Sequence, residues 1–74
     1  MAPSFEAAFP TIARWVSAYG WLEIGQDDYS RSFIRVLDEG GMVWEGEESY
    51  PTVDEALLAA EAGLVEWMAE EGLE

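Results

Sequence analysis

The tetrapeptide Asp38-Glu39-Gly40-Gly41, set between two β-rich runs, constrains this chain more than any other feature of its sequence. Its glycines adopt positive φ at little cost, and its aspartate can hydrogen-bond the backbone of a turn. Ser32 to Leu37 before it and Met42 to Glu45 after it are rich in β-branched and aromatic residues, so the two runs are expected to return on each other as a hairpin. Loop length decides the pairing. A loop of two or four residues pairs Arg35 with Trp44 and Val36 with Val43, whereas a loop of three pairs Arg35 with Glu45 and Val36 with Trp44, and both registers stay open. Upstream, Trp21 to Gln26 alternates apolar and polar positions and is followed by turn-forming Asp27, Asp28, Tyr29 and Ser30, which adds a third strand.

Helical patterns flank the strands. Phe9, Ile12, Trp15, Val16 and Tyr19 fall at helical spacing, with Pro10 suited to a first turn and Gly20 able to stop the helix. Residues 1–8 could add a short turn begun by Ser4, but Pro10 disfavours one continuous helix through that point, and this end stays open. After the hairpin, Thr52-Val53-Asp54-Glu55 matches a capping box, and Asp54 and Glu55 complement the positive end of a helix dipole. The second long helix carries Val53, Leu57, Ala60, Leu64, Trp67 and Met68 on one face and should end near Glu71, before Gly72. Ala56, Ala60 and Gly63 form a run of small side chains beside that stripe, where the first helix is expected to approach closely. The predicted fold is α+β in the order α-β-β-β-α: one domain over residues 1–74, a three-stranded antiparallel meander with both helices on one face.

Charge is distributed unevenly. The three arginines, Arg14, Arg31 and Arg35, stand in the first half against 16 acidic residues in all, and the formal net charge is -13. Such a surface repels nucleic acid and anionic membrane and attracts cations and basic proteins. Half of the residues are apolar, and there are four tryptophans, so the composition is that of a folded protein rather than an acidic tail. Without cysteine or histidine the chain lacks disulfides, thiolate metal sites, a cysteine nucleophile and the usual neutral-pH general base. No apolar run approaches the roughly 18 to 20 residues that span a bilayer, and no signal-peptide pattern opens the chain, so a cytoplasmic protein without membrane attachment is expected.

Catalysis is not expected, because no nucleophile-base pair, phosphate-cradling loop or dinucleotide fingerprint is present and a chain this short has little volume for a pocket. No cofactor is expected either. Glu45, Glu47, Glu48, Asp54 and Glu61 form the candidate acidic surface, and their spacing matches no calcium loop. On the second long helix Leu58, Ala62, Val65 and Ala69 make a narrower apolar stripe, turned roughly 120 to 140 degrees from the first and therefore unable to face the same core. Asp54 and Glu61 border it on one side, Glu55 and Glu66 on the other. The expected function is accordingly a small acidic interaction module that binds a protein partner or forms a homodimer through this stripe, with no direct nucleic-acid binding. The alternative is an acidic nucleic-acid mimic that blocks a DNA- or RNA-binding protein. Its array is sparse: at 1.5 Å per residue Asp54 and Glu61 lie about 10 Å apart, against one phosphate per roughly 3.4 Å of duplex axis on each strand.

The segment Thr52-Val53-Asp54-Glu55-Ala56-Leu57-Leu58-Ala59-Ala60, following a hairpin, resembles the strand-to-helix corner of HicB-like antitoxin domains, in which a T-x-x-E-A-L-x-x-A pattern opens the helix. That resemblance covers less than half of the chain, and the role it implies is that of an antitoxin. The α-β-β-β-α order is also similar to that of double-stranded RNA-binding domains, whose basic helix start is replaced here by Thr52, Asp54 and Glu55. Taken whole, the chain resembles small uncharacterised bacterial proteins.

Overall fold

The computed structural model of the chain describes residues 4–26, 28 and 31–72. Of the turn expected at 27–30, only Asp28 is therefore among the described residues. The elements run α1 (Phe5–Ala8), α2 (Pro10–Ala18), β1 (Gly20–Ile24), β2 (Ile34–Asp38), β3 (Gly41–Glu45) and α3 (Val53–Glu71). The Ser4 side chain accepts the Ala7 N–H and starts the single turn of α1. Pro10 then opens α2, where its missing N–H costs nothing. On α3 the Thr52 hydroxyl accepts the Glu55 N–H at 3.1 Å, and Gly72 ends the helix in the left-handed conformation, φ 72°. The expected α+β arrangement, one antiparallel sheet with helices, is the arrangement found.

Strand order is β1-β2-β3, every pair antiparallel. The pairing found is the one expected of a three-residue loop, Arg35 with Glu45 and Val36 with Trp44, but the loop itself has two residues. At its tip Asp38 faces Gly41 and Leu37 faces Met42, so Glu39 and Gly40 form a two-residue turn; beyond it Val36 faces Trp44 and Arg35 faces Glu45. Val43 is the extra residue of a β-bulge. The bulge lets two consecutive side chains, Val43 and Trp44, both pack against the core, which unbroken alternation would forbid. Gly41, at φ 124°, takes a conformation that side chains disfavour, and the Asp38 carboxylate accepts the Gly40 N–H at 2.8 Å.

Ile34 and Val36 of β2 are fully buried beneath α2 and α3, where Ile12, Trp15, Ala56, Leu57, Ala60, Leu64 and Met68 complete the core. Val53, expected on the core face, is exposed in the first turn of α3. Two glycines act differently from expectation. Gly20 has no positive φ; α2 ends on Tyr19 in the right-handed region, and what Gly20 permits is the close approach of the Leu37 carbonyl, which a Cβ would strike. Gly63 is covered by the indole of Trp44 from β3, not by the first long helix, and a Cβ there would run into that ring.

Two charged side chains, Glu61 and Arg35, lock separate segments of the fold together. Phe9, the residue before α2, provides no side-chain cap, and Glu61 of α3 supplies one instead: its carboxylate accepts the Thr11 N–H at 3.0 Å and the Ile12 N–H at 2.9 Å. These are the free amides of the first turn, at the positive end of the helix. On the other face of β2 Arg35 is buried and reaches into the β1–β2 loop. It donates to the Ser32 carbonyl at 2.6 Å and the Gly25 carbonyl at 2.8 Å, with an ion pair to Glu23 at 3.2 Å. Among the described residues every buried side-chain nitrogen and oxygen has a hydrogen-bond partner. Replacing Glu61 by alanine should cost about 1 to 2 kcal/mol in urea unfolding, the worth of a strong helix cap, while Glu61→Gln should recover about half of that by keeping one acceptor.

Candidate functional site

α3 has one face in the core and a second turned outward. Leu58 is 56% exposed and Val65 51% exposed, and Ala62 and Ala69 between and beyond them are exposed as well. All four fall within about 60 degrees of one another around the helix and span about 16 Å at 1.5 Å per residue. Nothing in the helix sequence opposes this: leucine, alanine and valine recur on both faces, so the core takes one stripe and the other is left on the surface.

Toward α2 the stripe opens into a shallow groove of about 120 Å³, lined by Thr11, Arg14, Val65, Met68 and Ala69. Glu61 creates this groove indirectly, since its bonds to Thr11 and Ile12 set where α2 crosses α3. Thr11 and Arg14 were not legible as part of a surface with Val65, because on α2 they lie off the apolar positions Ile12 and Trp15 and nothing local couples them to α3. The opposite margin of the stripe is acidic, formed by Glu55 and Glu66, with Glu70 one turn further, all exposed.

The carboxylates singled out in the sequence separate into two sets. Glu45, Glu47, Glu48 and Asp54 are exposed. Glu61 is half-buried and engaged with the α2 amides. Around the exposed set the backbone is stitched down, with the Tyr50 hydroxyl accepting the Glu47 N–H, the Glu47 carbonyl accepting the Phe33 N–H and the Glu48 carbonyl accepting from Gln26 Nε2. Among the described residues no group of three or more acidic side chains is placed to hold a metal ion.

A second apolar patch lies on the sheet face away from the helices. Trp21, Leu37 and Met42 stand side by side across the three strands, with Trp21 and Met42 exposed. It is shorter than the α3 stripe, and the Glu23–Arg35 pair bounds it along the strands.

Comparison with protein families, with curated proteins and with solved structures finds no match to this chain. No helix among the described residues is long and apolar enough to cross a membrane. The residues of the T-x-x-E-A-L-x-x-A pattern have structural duties here: Thr52 caps α3, and Ala56, Leu57 and Ala60 are buried in the core.

Proposed function

We propose that the chain is a protein-binding module whose partner docks on the outward stripe of α3. The observation that carries this reading is the half-exposure of Leu58 and Val65, aligned on a helix whose other face is already committed to the core. Single exposed apolar residues are ordinary, but an aligned stripe continuing into a groove is the form of a helix-docking surface. Full burial of a leucine or valine side chain is worth about 1.5 to 3 kcal/mol. Each of these two is half-covered already, so together they offer about 2 kcal/mol, or roughly 30-fold in affinity.

A hetero-partner fits better than a second copy. An antiparallel pairing of two α3 stripes would set the Glu55, Glu66 and Glu70 margin of one chain along the same margin of the other, and each like-charged pair held at about 4 Å costs about 1 kcal/mol even in water. The acidic mimic is supported less, because Glu61, one of its sparse carboxylates, is occupied within the fold.

The test compares affinity capture by the native chain, by Leu58→Asp/Val65→Asp and by Glu45→Gln/Glu47→Gln/Glu48→Gln. The stripe variant should lose a protein that the native chain and the loop variant both retain. Each substitution should cost about 1 kcal/mol in urea unfolding, from the covered half of the apolar side chain and the lower helix propensity of aspartate, so capture is compared on variants whose helical circular dichroism is native-like. Loss of the protein by the loop variant alone, with binding that collapses between about 50 and 200 mM NaCl, would favour the mimic instead.

A further inference from the structure

We infer that the occupant of the α3 stripe is an amphipathic helix of a partner protein whose apolar face meets Leu58, Ala62 and Val65 and whose Lys or Arg residues meet the Glu55, Glu66 and Glu70 margin. This inference rests on the reading of α3 as a docking surface and adds the chemistry of what docks there.

Shape and charge both point to such an occupant. The stripe is one helix wide and three turns long, about 16 Å at 1.5 Å per residue, which suits anchors at i, i+3 or i+4, and i+7 on a single opposing helix. Its two margins are unlike. On one side Thr11 and Arg14 of α2 stand with Asp54 and with Glu61, whose carboxylate is taken up by the α2 amides, and on the other Glu55, Glu66 and Glu70 are all exposed with no basic residue of α3 beside them. Charge complementarity then fixes which flank of the partner is cationic, and with it the partner's orientation about its own axis. A second copy of this chain would have to supply that flank from Arg14 and Arg31 alone, against the carboxylates it brings with it, since Arg35 is buried in the sheet and no Lys or Arg follows it.

The probe is a synthetic helix of about 18 residues made of leucine and lysine with one apolar face, titrated into the full isotope-labelled chain at about 150 mM salt. A scrambled peptide of the same composition and a leucine-glutamate counterpart serve as comparisons. The leucine-lysine helix should bind at least about 10-fold more tightly than the scramble, with amide shifts confined to residues 55–70 of α3 and to Thr11 and Arg14. Leu58→Asp and Val65→Asp should each weaken it by about 5-fold or more, although each adds a negative charge that would tighten a purely electrostatic complex. Equal binding of the scramble, tighter binding by either variant, or shifts centred on Glu45, Glu47 and Glu48 would overturn the inference. Were the leucine-glutamate helix to dock on α3 in place of the lysine one, the cationic assignment would fall while the docking surface stood. If no peptide perturbs α3, both fall. Self-association of the native chain that Leu58→Asp abolishes would overturn the inference in favour of a second copy.

Discussion

Trp15→Ala should leave the chain largely unfolded at room temperature, with the helical circular dichroism signal lost before any denaturant is added. Trp15 is 1% exposed, stacks on Tyr19 at 5.3 Å and meets Trp67 edge-on at 5.5 Å. Emptying such a site costs about 3 to 5 kcal/mol, and a single core of this size supplies no more than about 3 to 5 in total. The indole N–H also donates to the Leu37 carbonyl at 3.0 Å, tying α2 to β2. Trp15→Phe separates the two contributions, because it keeps most of the ring volume and loses the donor. That variant should fold with a loss of about 1 to 3 kcal/mol, part of it from the carbonyl left unpaired.

Arg35→Met should cost about 2 to 4 kcal/mol despite keeping an apolar stem of similar length up to the guanidinium. The cost does not come mainly from the ion pair: the Arg35 side chain is 6% exposed but its Glu23 partner is 44% exposed, and such a half-solvated pair contributes little. It comes from the Gly25 and Ser32 carbonyls, which the guanidinium bridges from its two ends. Glu23→Gln should therefore cost no more than about 1 kcal/mol, whereas Arg35→Lys should fail nearly as badly as the methionine, since an ammonium cannot reproduce the planar fork. Urea unfolding ranks the variants. Amide exchange then locates the damage, which should appear first at Gly25, Gln26 and residues 31–33 at the two ends of the β1–β2 loop, before the core strands. Equal losses for Glu23→Gln and Arg35→Met would show that the ion pair itself, rather than the carbonyl bridge, holds the loop.

Most of the scaffold was legible from short-range chemistry. α3 announces itself through the Thr52 cap, the Leu57, Ala60, Leu64, Met68 spacing and the terminal Gly72, all decided within one or two turns. The three strands and their antiparallel order follow from alternation and turn residues in the same way. The exposed stripe was legible too, because two apolar stripes on one helix cannot both face a single core.

What sequence alone determined is the set of elements, their order and which face of α3 is left over, since capping, turn chemistry and periodicity act over a few residues and need no distant partner. Only the tertiary structure decided how those elements are locked. The bulge at Val43 exists because the core takes both Val43 and Trp44. Gly63 makes room for an indole that arrives from another strand. Glu61 and Arg35 read along the chain as two more surface charges, yet one caps a helix 49 residues away and the other closes a loop across the sheet. A side chain's charge carries no record of where its partner is; chain folding brings the two together, and the groove beside Val65 is a consequence of that meeting.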